Sequence, residues 1–202
     1  ADMMWSKIRT SAHQHNLVDR VRGVDERLLM PNLNNAEDFG TPTHGWFDSL
    51  DSDGFTITGA GGDWNVNTDT YLYVGWNWKA GGAPTADNDN AAGAVPDLGS
   101  VMIDGVASTA ALAGTIAATR LSANTTAGFS TVKYAGNNTS GATVAHGLSE
   151  TPELIIIKNT EAAVDWIVYS EPVGNTSGLQ LNGDGDAYDY LAYFNDTSPT
   201  PS

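Results

Sequence analysis

Three carboxylates fall close together near the end of the sequence, at Asp184, Asp186 and Asp189, with Gly185 between the first two. Calcium takes about six to eight oxygen ligands, and flexible turns that mix carboxylates with backbone carbonyls supply them. The spacing lacks the roughly twelve-residue loop and the final glutamate of an EF-hand. Two interpretations stay open: a structural calcium site with Asp184, Asp186 and Asp189 as ligands, or a solvated turn whose carboxylates bond nearby backbone groups.

Two of the six tryptophans, Trp46 and Trp64, lie in segments that are typical of loops. An exposed indole beside Asp or Asn forms a platform for a sugar ring, because pyranose C–H faces pack on aromatic rings and polar side chains bond the hydroxyls. These two are the candidate ligand-binding residues, and packing beneath a loop is the alternative. The other four tryptophans are expected in the core: Trp5, Trp76, Trp78 and Trp166.

The histidines are weaker candidates for a functional site. His13 and His15 are two residues apart and would share one face of a strand, which suits a two-imidazole metal site, but no carboxylate partner can be located. A packed position is the alternative. His146 is expected to bond backbone groups and fix its turn. No nucleophile elbow or phosphate-binding loop is present. We therefore expect no enzymatic activity; a polysaccharide-degrading enzyme remains the most distant hypothesis, because pairs among 24 acidic residues arise by chance.

The charge balance excludes two classes of partner. The chain has 202 residues, with 24 Asp and Glu against 9 Lys and Arg, for a formal charge of −15. Phosphate backbones and anionic membrane surfaces would repel it, so neither nucleic acid nor membrane is an expected partner. There is no cysteine, which removes disulfides, thiolate metal sites and cysteine nucleophiles. No apolar run reaches the ~18 residues of a membrane span.

The candidate functional residues lie among short β-rich segments that are separated by Gly, Asn and Pro. This pattern predicts an all-β fold, a jelly-roll-like β-sandwich built from two related halves. Thr70–Trp78 alternates and predicts a strand whose core face carries Leu72, Val74, Trp76 and Trp78. The run Leu154–Lys158 predicts a strand buried on both faces. Further strands are predicted at 54–58, 128–134, 142–145 and 166–169. Residues 106–119 are rich in Ala and predict a turn or two of helix.

A repeat organises the chain. When Lys7 is placed on Lys158, Gly23 falls on Gly174 and Leu28 falls on Leu179. The same shift places Met3-Met4-Trp5 on Leu154-Ile155-Ile156 and His15 on Trp166, and Trp46-Phe47-Asp48 resembles Tyr193-Phe194-Asn195. The predicted units are residues 1–82 as a first β-rich half, residues 83–120 as a Gly/Ala/Asp-rich linker or long loop, and residues 121–202 as a truncated second half. Because both ends cut across the repeat, we expect the chain to be part of a longer product.

Four blocks together resemble a module of tail-fibre and other virion structural proteins of bacteriophages, those of marine phages in particular. They are HNLVDRVRGVDERLL (15–29), DSDGFTI (51–57), YVGWNWKAGG (73–82) and LSANTTAGFSTVKYAGNNTSGATVAHGLSETPELIIIKN (121–159). The resemblance covers most of the chain outside about 83–105. The sequence departs from the pattern in LNGDGDAYDY (181–190).

This resemblance implies a component of the virus particle, a tail fibre or surface decoration that acts by assembly and display. It carries over no catalytic activity. The implied partners are further copies of the chain, as a homo-oligomer with a trimer favoured, other virion proteins, and a host surface glycan. The implied location is the virion. A carbohydrate-binding, lectin-like adhesin is the alternative, with no cofactor beyond the structural calcium considered above.

Overall fold

A computed structural model describes residues 1–24, 27–39, 45–58, 66–189, 194 and 197–201. These residues form an all-β chain of fifteen short strands, as the composition and turn pattern predicted. Among them, no helix has the length and apolar character to cross a membrane. The strands are β1 (Met3–Ile8), β2 (Asn16–Asp19), β3 (Arg27–Leu28), β4 (Asp38–Phe39), β5 (Trp46–Leu50), β6 (Phe55–Thr58), β7 (Tyr73–Trp78), β8 (Val101–Ile103), β9 (Val106–Ala107), β10 (Ala118–Asn124), β11 (Phe129–Tyr134), β12 (Leu154–Ile157), β13 (Ile167–Ser170), β14 (Ser177–Gln180) and β15 (Tyr188–Asp189).

The strands form three larger sheets and two hairpins. The sheets have the orders β2-β1-β7, β11-β10-β8-β9 and β12-β13-β14-β15, and the hairpins are β3–β4 and β5–β6. An antiparallel bridge between Leu17 and Leu29 joins β2 to the end of β3. The first sheet therefore continues as β7-β1-β2-β3-β4, with β7 at one edge.

The first core lies between this sheet and the β5–β6 hairpin. Side chains of β1 alternate, so that Met4, Ser6 and Ile8 are buried while the residues between them are half-buried. Met4 packs with Phe47 of β5, which is 1% exposed. The complete cluster is Met4, Val18, Leu28, Phe47, Leu50 and Val66. Two layers of strands thus enclose an apolar interior, while the jelly-roll connectivity stays a prediction.

The segment after β7 packs closely against the middle sheet. A Cβ atom on Gly81 would lie 2.2 Å from the carbonyl oxygen of Met102 and 2.4 Å from that of Ala123, so only glycine fits there. Further along, the Asn88 backbone N–H donates to the Thr119 carbonyl at 2.9 Å. Residues 83–120, expected to form a linker or long loop, therefore contain β8, β9 and the start of β10, and their first part lies against β10.

The two halves have the same strand register. Met3 of β1 pairs with Asp19 of β2, and Leu154 of β12 pairs with Ser170 of β13. Each residue of the second pair lies 151 residues after its counterpart in the first pair. Downstream, the β3–β4 pairs recur in β14–β15 at a spacing of 150 residues. The second copy is thus one residue shorter after its Gly turn. The structure corrects one alignment for this reason: Leu179 matches Leu29, not Leu28.

The lysines that revealed the repeat play the same part in both halves. Lys7 Nζ donates to the Ser11 carbonyl at 3.1 Å, and Lys158 Nζ donates to the Ala162 carbonyl at 3.1 Å. Each ammonium group therefore ties the end of its strand to the loop that follows. The recurrence of this contact supports two related halves independently of strand register.

Two predicted core faces are wrong. Leu72 and Trp76 are 58% and 47% exposed, and Leu154 and Ile156 are 59% and 42% exposed. The physical reason is position in the sheet, because β7 and β12 are both edge strands. A sequence pattern indicates a strand with an apolar face, but it does not indicate whether another layer covers that face.

Other expectations need correction too. Residues 106–119 contain β9 and the start of β10 in place of a helical turn, since Asp104 and Gly105 have positive φ values of 52° and 86° and close a tight β8–β9 hairpin. Residues 142–145 contain only isolated bridges at Val144. The strand predicted at 166–169 lies one residue later, at β13.

Candidate functional site

Trp46, the first candidate sugar-stacking residue, lies in β5 opposite Thr58 of β6. Its side chain is half-buried. Within the described part of the chain, the indole Nε1 of Trp46 and the Oγ1 of Thr58 are both buried and have no hydrogen-bond partner. The enclosed Nε1 leaves only part of the indole to meet a ligand. Trp64 lies outside the described residues, so its ligand-binding role stays a prediction.

The acidic turn lies between β14 and β15. Asp184 and Asp186 are exposed in the turn, and Asp189 is exposed in β15. Across the described ranges, no group of three or more His, Asp or Glu side chains is placed to hold a metal ion. The structure therefore gives these three carboxylates a shared turn without a formed ligand cage, and the calcium hypothesis stays a prediction.

His15 is used in packing against Trp5. The indole Nε1 of Trp5 donates to His15 Nδ1 at 2.9 Å, and the two rings lie 5.8 Å apart. This bond requires a neutral imidazole, because Nδ1 must carry a lone pair. Burial, and secondarily the charge of Lys7, lower the pKa of His15 below its ordinary 6.5.

A pH dependence follows from His15. We expect the free energy of unfolding to fall as pH drops below about 6.5, because the unfolded chain then binds a proton that the folded His15 resists. The contribution is fully present above that pH. Urea unfolding at a series of pH values would show it, and His15→Asn should flatten that part of the profile, whereas His13→Asn should not. Equal profiles for the two variants would contradict this role of His15.

His146 fixes its turn as predicted. Its Nδ1 accepts a hydrogen bond from the Leu148 backbone N–H at 3.1 Å. Gly147 between them has a φ of 72°, which favours glycine. The Nε2 atom lies 2.8 Å from the Thr200 carbonyl oxygen. The imidazole therefore holds the turn to a distant part of the chain.

Trp166 joins the two halves. Its side chain is 4% exposed and packs with Leu17 and Leu29 of the first half. The indole Nε1 donates to the Leu33 carbonyl at 2.9 Å. The expectation of a core position is confirmed for Trp166, and the core it belongs to lies between the halves.

Two polar contacts reinforce this junction. The Glu37 backbone N–H donates to the Thr160 carbonyl at 2.8 Å, and Lys158 Nζ donates to the Asn34 carbonyl at 3.1 Å. Together with Trp166 they hold the two copies as one unit.

The exposed edges of β7 and β12 are the surfaces that sequence patterns missed. They carry Trp76, Leu154 and Ile156, and Leu72 directly precedes β7; more than two-fifths of each of these four apolar residues is exposed. Unpaired strand edges offer rows of N–H and C=O groups to another strand. The sequence repeat was the signal that could have indicated these edges. It aligned Ile156 with Trp5, and it contained no segment of the second copy that matched β7.

Comparison with known families agrees with the duplication. A domain of unknown function, DUF7483, matches residues 1–102 and again residues 101–202. The chain belongs to the DUF7483 family. Its two tandem DUF7483 matches fit the two related halves of the structure, and they meet at the start of β8. No curated protein and no solved structure matches the chain.

Proposed function

We propose that this DUF7483 protein is a structural subunit of a bacteriophage particle, a tail-fibre or surface-decoration component that acts by assembly and display. The observation that carries the proposal is the pair of apolar edge strands, β7 and β12, on a two-copy β unit. Soluble proteins usually protect such edges with charges, prolines or a covering element. Their exposure here suits a subunit whose edges are covered by neighbouring subunits.

Charge and composition support the same role. A formal charge of −15 disfavours binding to nucleic acid or anionic membrane, so the partners of these edges are other protein subunits. The resemblance of four sequence blocks to phage virion proteins supports placement in the particle. Repeated display of weak sites would let such a subunit contact host glycans through avidity. No catalytic step is part of this proposal.

The mass of the purified protein in solution tests assembly. Light scattering is expected to show a stable homo-oligomer, with a trimer favoured, across a range of protein concentrations. A particle with the mass of a single chain at every concentration would contradict the proposed function. Particles purified from phage-producing cells should also contain peptides of this chain by mass spectrometry, and their consistent absence would contradict the virion location.

Adding chelator to the same measurement tests structural calcium. If Asp184, Asp186 and Asp189 hold an ion that supports assembly, chelator should lower the particle mass, and Asp184→Asn with Asp186→Asn should lower it without chelator. An Asp53→Asn variant removes an exposed carboxylate elsewhere and serves as the control. Equal particle masses in all conditions would contradict a role for calcium in the assembly.

A lectin-like adhesin is the second candidate. It is supported by the exposed carboxylates Asp184 and Asp186 in the turn that leads to the half-buried Tyr188 of β15, because sugar sites combine acidic and aromatic groups. A glycan array with and without chelator separates this function from assembly alone. Chelator-sensitive binding would support it, and an array without signal would contradict it.

A further inference from the structure

The outer edge of β7 carries unpaired backbone groups. β7 ends the order β2-β1-β7, and no described strand lies on its other side. The Arg9 backbone N–H donates to the Leu72 carbonyl at 2.7 Å, and the same register pairs Trp5 with Trp76. Hydrogen-bonded pairs recur at every second residue of an antiparallel ladder, so the even-numbered residues of β7 direct their N–H and C=O groups towards β1. The outward groups belong to the residues between them, which are Tyr73, Gly75 and Asn77.

This edge stays open in the contact that joins the two copies. The second copy binds the first through Lys158, Thr160 and Trp166. The counterparts of these residues, 151 residues earlier, lie at the end of β1 and in the loop before β2. A further copy joined in the same way would contact that loop or the second copy, and in neither case β7. The open edge of β7 therefore does not depend on how many copies the tandem repeat contains.

The β7 edge is also uncharged. No residue from Tyr71 to Trp78 carries a charge, in a chain whose formal charge is −15. Acidic surfaces of two copies repel each other, so an uncharged strand is where the copies can approach closely. Leu72 and Trp76 are 58% and 47% exposed at this edge, and their burial would stabilise such a contact.

We propose that the β7 strands of two copies of this chain pair antiparallel about a two-fold axis at Gly75. In this register Gly75 lies opposite Gly75 of the second copy, and Tyr73 lies opposite Asn77. All outward N–H and C=O groups of both strands then form hydrogen bonds, whereas a shift of two residues would lose one of the three pairs. Trp76 lies opposite Val74 of the second copy, and aromatic side chains pack well across strands against β-branched ones.

The ends of the paired strands match in charge. In the proposed register Lys79 lies opposite Tyr71 of the second copy, beside the turn that contains the exposed Asp69. The Lys79 side chain is 65% exposed while its Nζ binds Asp2 Oδ2 at 3.0 Å. Because an ammonium group has three donors, Lys79 keeps its bond to Asp2 and retains donors for Asp69 of the second copy. The two-fold axis repeats this match at the other end.

The contact is isologous, because both copies use the same strand, and it therefore joins chains in pairs. It gives a dimer, or a hexamer where two trimers pair. The inference deepens the proposed assembly function and rests on it, since it names the partner and the surface. It also gives the exposed Trp76 a covered position in the assembly.

Amide hydrogen exchange, followed by NMR, tests the register in the unmodified protein. The N–H groups of Val74 and Trp76 face β1, so they exchange slowly whether or not two copies pair. The N–H groups of Gly75 and Asn77 face outward and are protected only in the pair. We expect all four to exchange slowly in the assembled protein. Rapid exchange at Gly75 and Asn77 beside slow exchange at the other two would overturn the inference.

Solution mass tests the same edge with two variants at one position. Asn77→Pro removes an outward N–H that makes no bond to β1, and edge strands accept proline at such positions. Asn77→Ala removes the same side chain and keeps the N–H, so it is the matched control. We expect Asn77→Pro to have half the wild-type particle mass and Asn77→Ala to keep the wild-type mass.

The outcomes separate this contact from assembly in general. If Asn77→Pro keeps the wild-type mass, or if the wild-type protein is a trimer alone, the inference fails and the assembly function stands. An equal loss of mass in both variants would also overturn it, because backbone pairing does not need the Asn77 side chain. A wild-type protein that is a single chain defeats both the inference and the proposed function.

Discussion

Replacing Arg22 by alanine is expected to lower the free energy of unfolding by about 3–5 kcal/mol. The guanidinium of Arg22 is 8% exposed and binds Asp19 at 2.6 Å and Glu37 at 2.5 Å. It also donates to the Leu17 carbonyl at 3.2 Å. Although burial acts to lower it, the two carboxylates raise the pKa of Arg22 above its ordinary value. Removing the arginine would leave the buried Asp19 carboxylate without its counter-charge, and it would leave Glu37 with only the more exposed Arg27, 3.3 Å away.

Urea unfolding of matched variants measures this loss. Arg120→Ala removes an arginine from a more exposed pair with Asp87 and should cost about 1 kcal/mol or less. A loss for Arg22→Ala as small as that for Arg120→Ala would contradict the role of the buried network.

The second copy suggests a sharper test of the same network. At positions matching the three charged residues, it contains Val173, Ser170 and Ala187. A buried set of charges can often be replaced as a whole with little loss, whereas removing one member is costly. The triple variant that copies these residues into the first half should therefore be more stable than Arg22→Ala. If the triple variant were less stable than Arg22→Ala, the three charged residues would contribute to the free energy of unfolding independently of one another.

Replacing Phe47 by alanine is expected to destabilise the first half by about 3–5 kcal/mol. Phe47 is 1% exposed and packs with Met4, Val18 and Leu28, so its removal opens a cavity between the sheet and the β5–β6 hairpin. The loss comprises both the transfer of the ring to water and the contacts around the cavity. Thermal or urea unfolding would measure it.

Phe55 provides the matched control. Its ring lies 5.7 Å from that of Phe47 on the neighbouring strand, but Phe55 is 37% exposed. Phe55→Ala should therefore cost clearly less than Phe47→Ala. Similar losses would mean that the hairpin does not close an interior at Phe47. The ring contact between Tyr169 and Phe194, at 5.4 Å, indicates that the second copy uses a phenylalanine in the same way.

Part of the fold could be predicted because local patterns and spacing carry it. The all-β class followed from short alternating segments between turn residues. The duplication followed from Lys7 and Lys158, which make equivalent contacts in the structure. The match of Leu28 to Leu179 was wrong by one residue, since the second copy shortens a turn and a shorter turn leaves no mark on strand patterns.

The candidate site was less predictable. Trp46 and the acidic turn were recognised by residue type, but residue type alone does not show which side chains converge. Ile156 and Trp76 were assigned to the core because their strands have apolar faces. Whether a face is buried depends on the neighbouring strand and layer, which are far away along the chain. The edge of β12 became recognisable only by comparison with β1 and β7 in space.

The sequence by itself determined the β class and the two-copy organisation, and its lack of cysteine determined that these residues form no disulfide. These properties depend on composition, charge and short-range periodicity, which any folded form of the chain must retain. Only the tertiary structure decided which strands lie at sheet edges, that Trp166 packs between the two halves, and that Arg22 binds both Asp19 and Glu37. Such contacts join residues distant in sequence, and their energies depend on burial and geometry that exist only after the chain has folded.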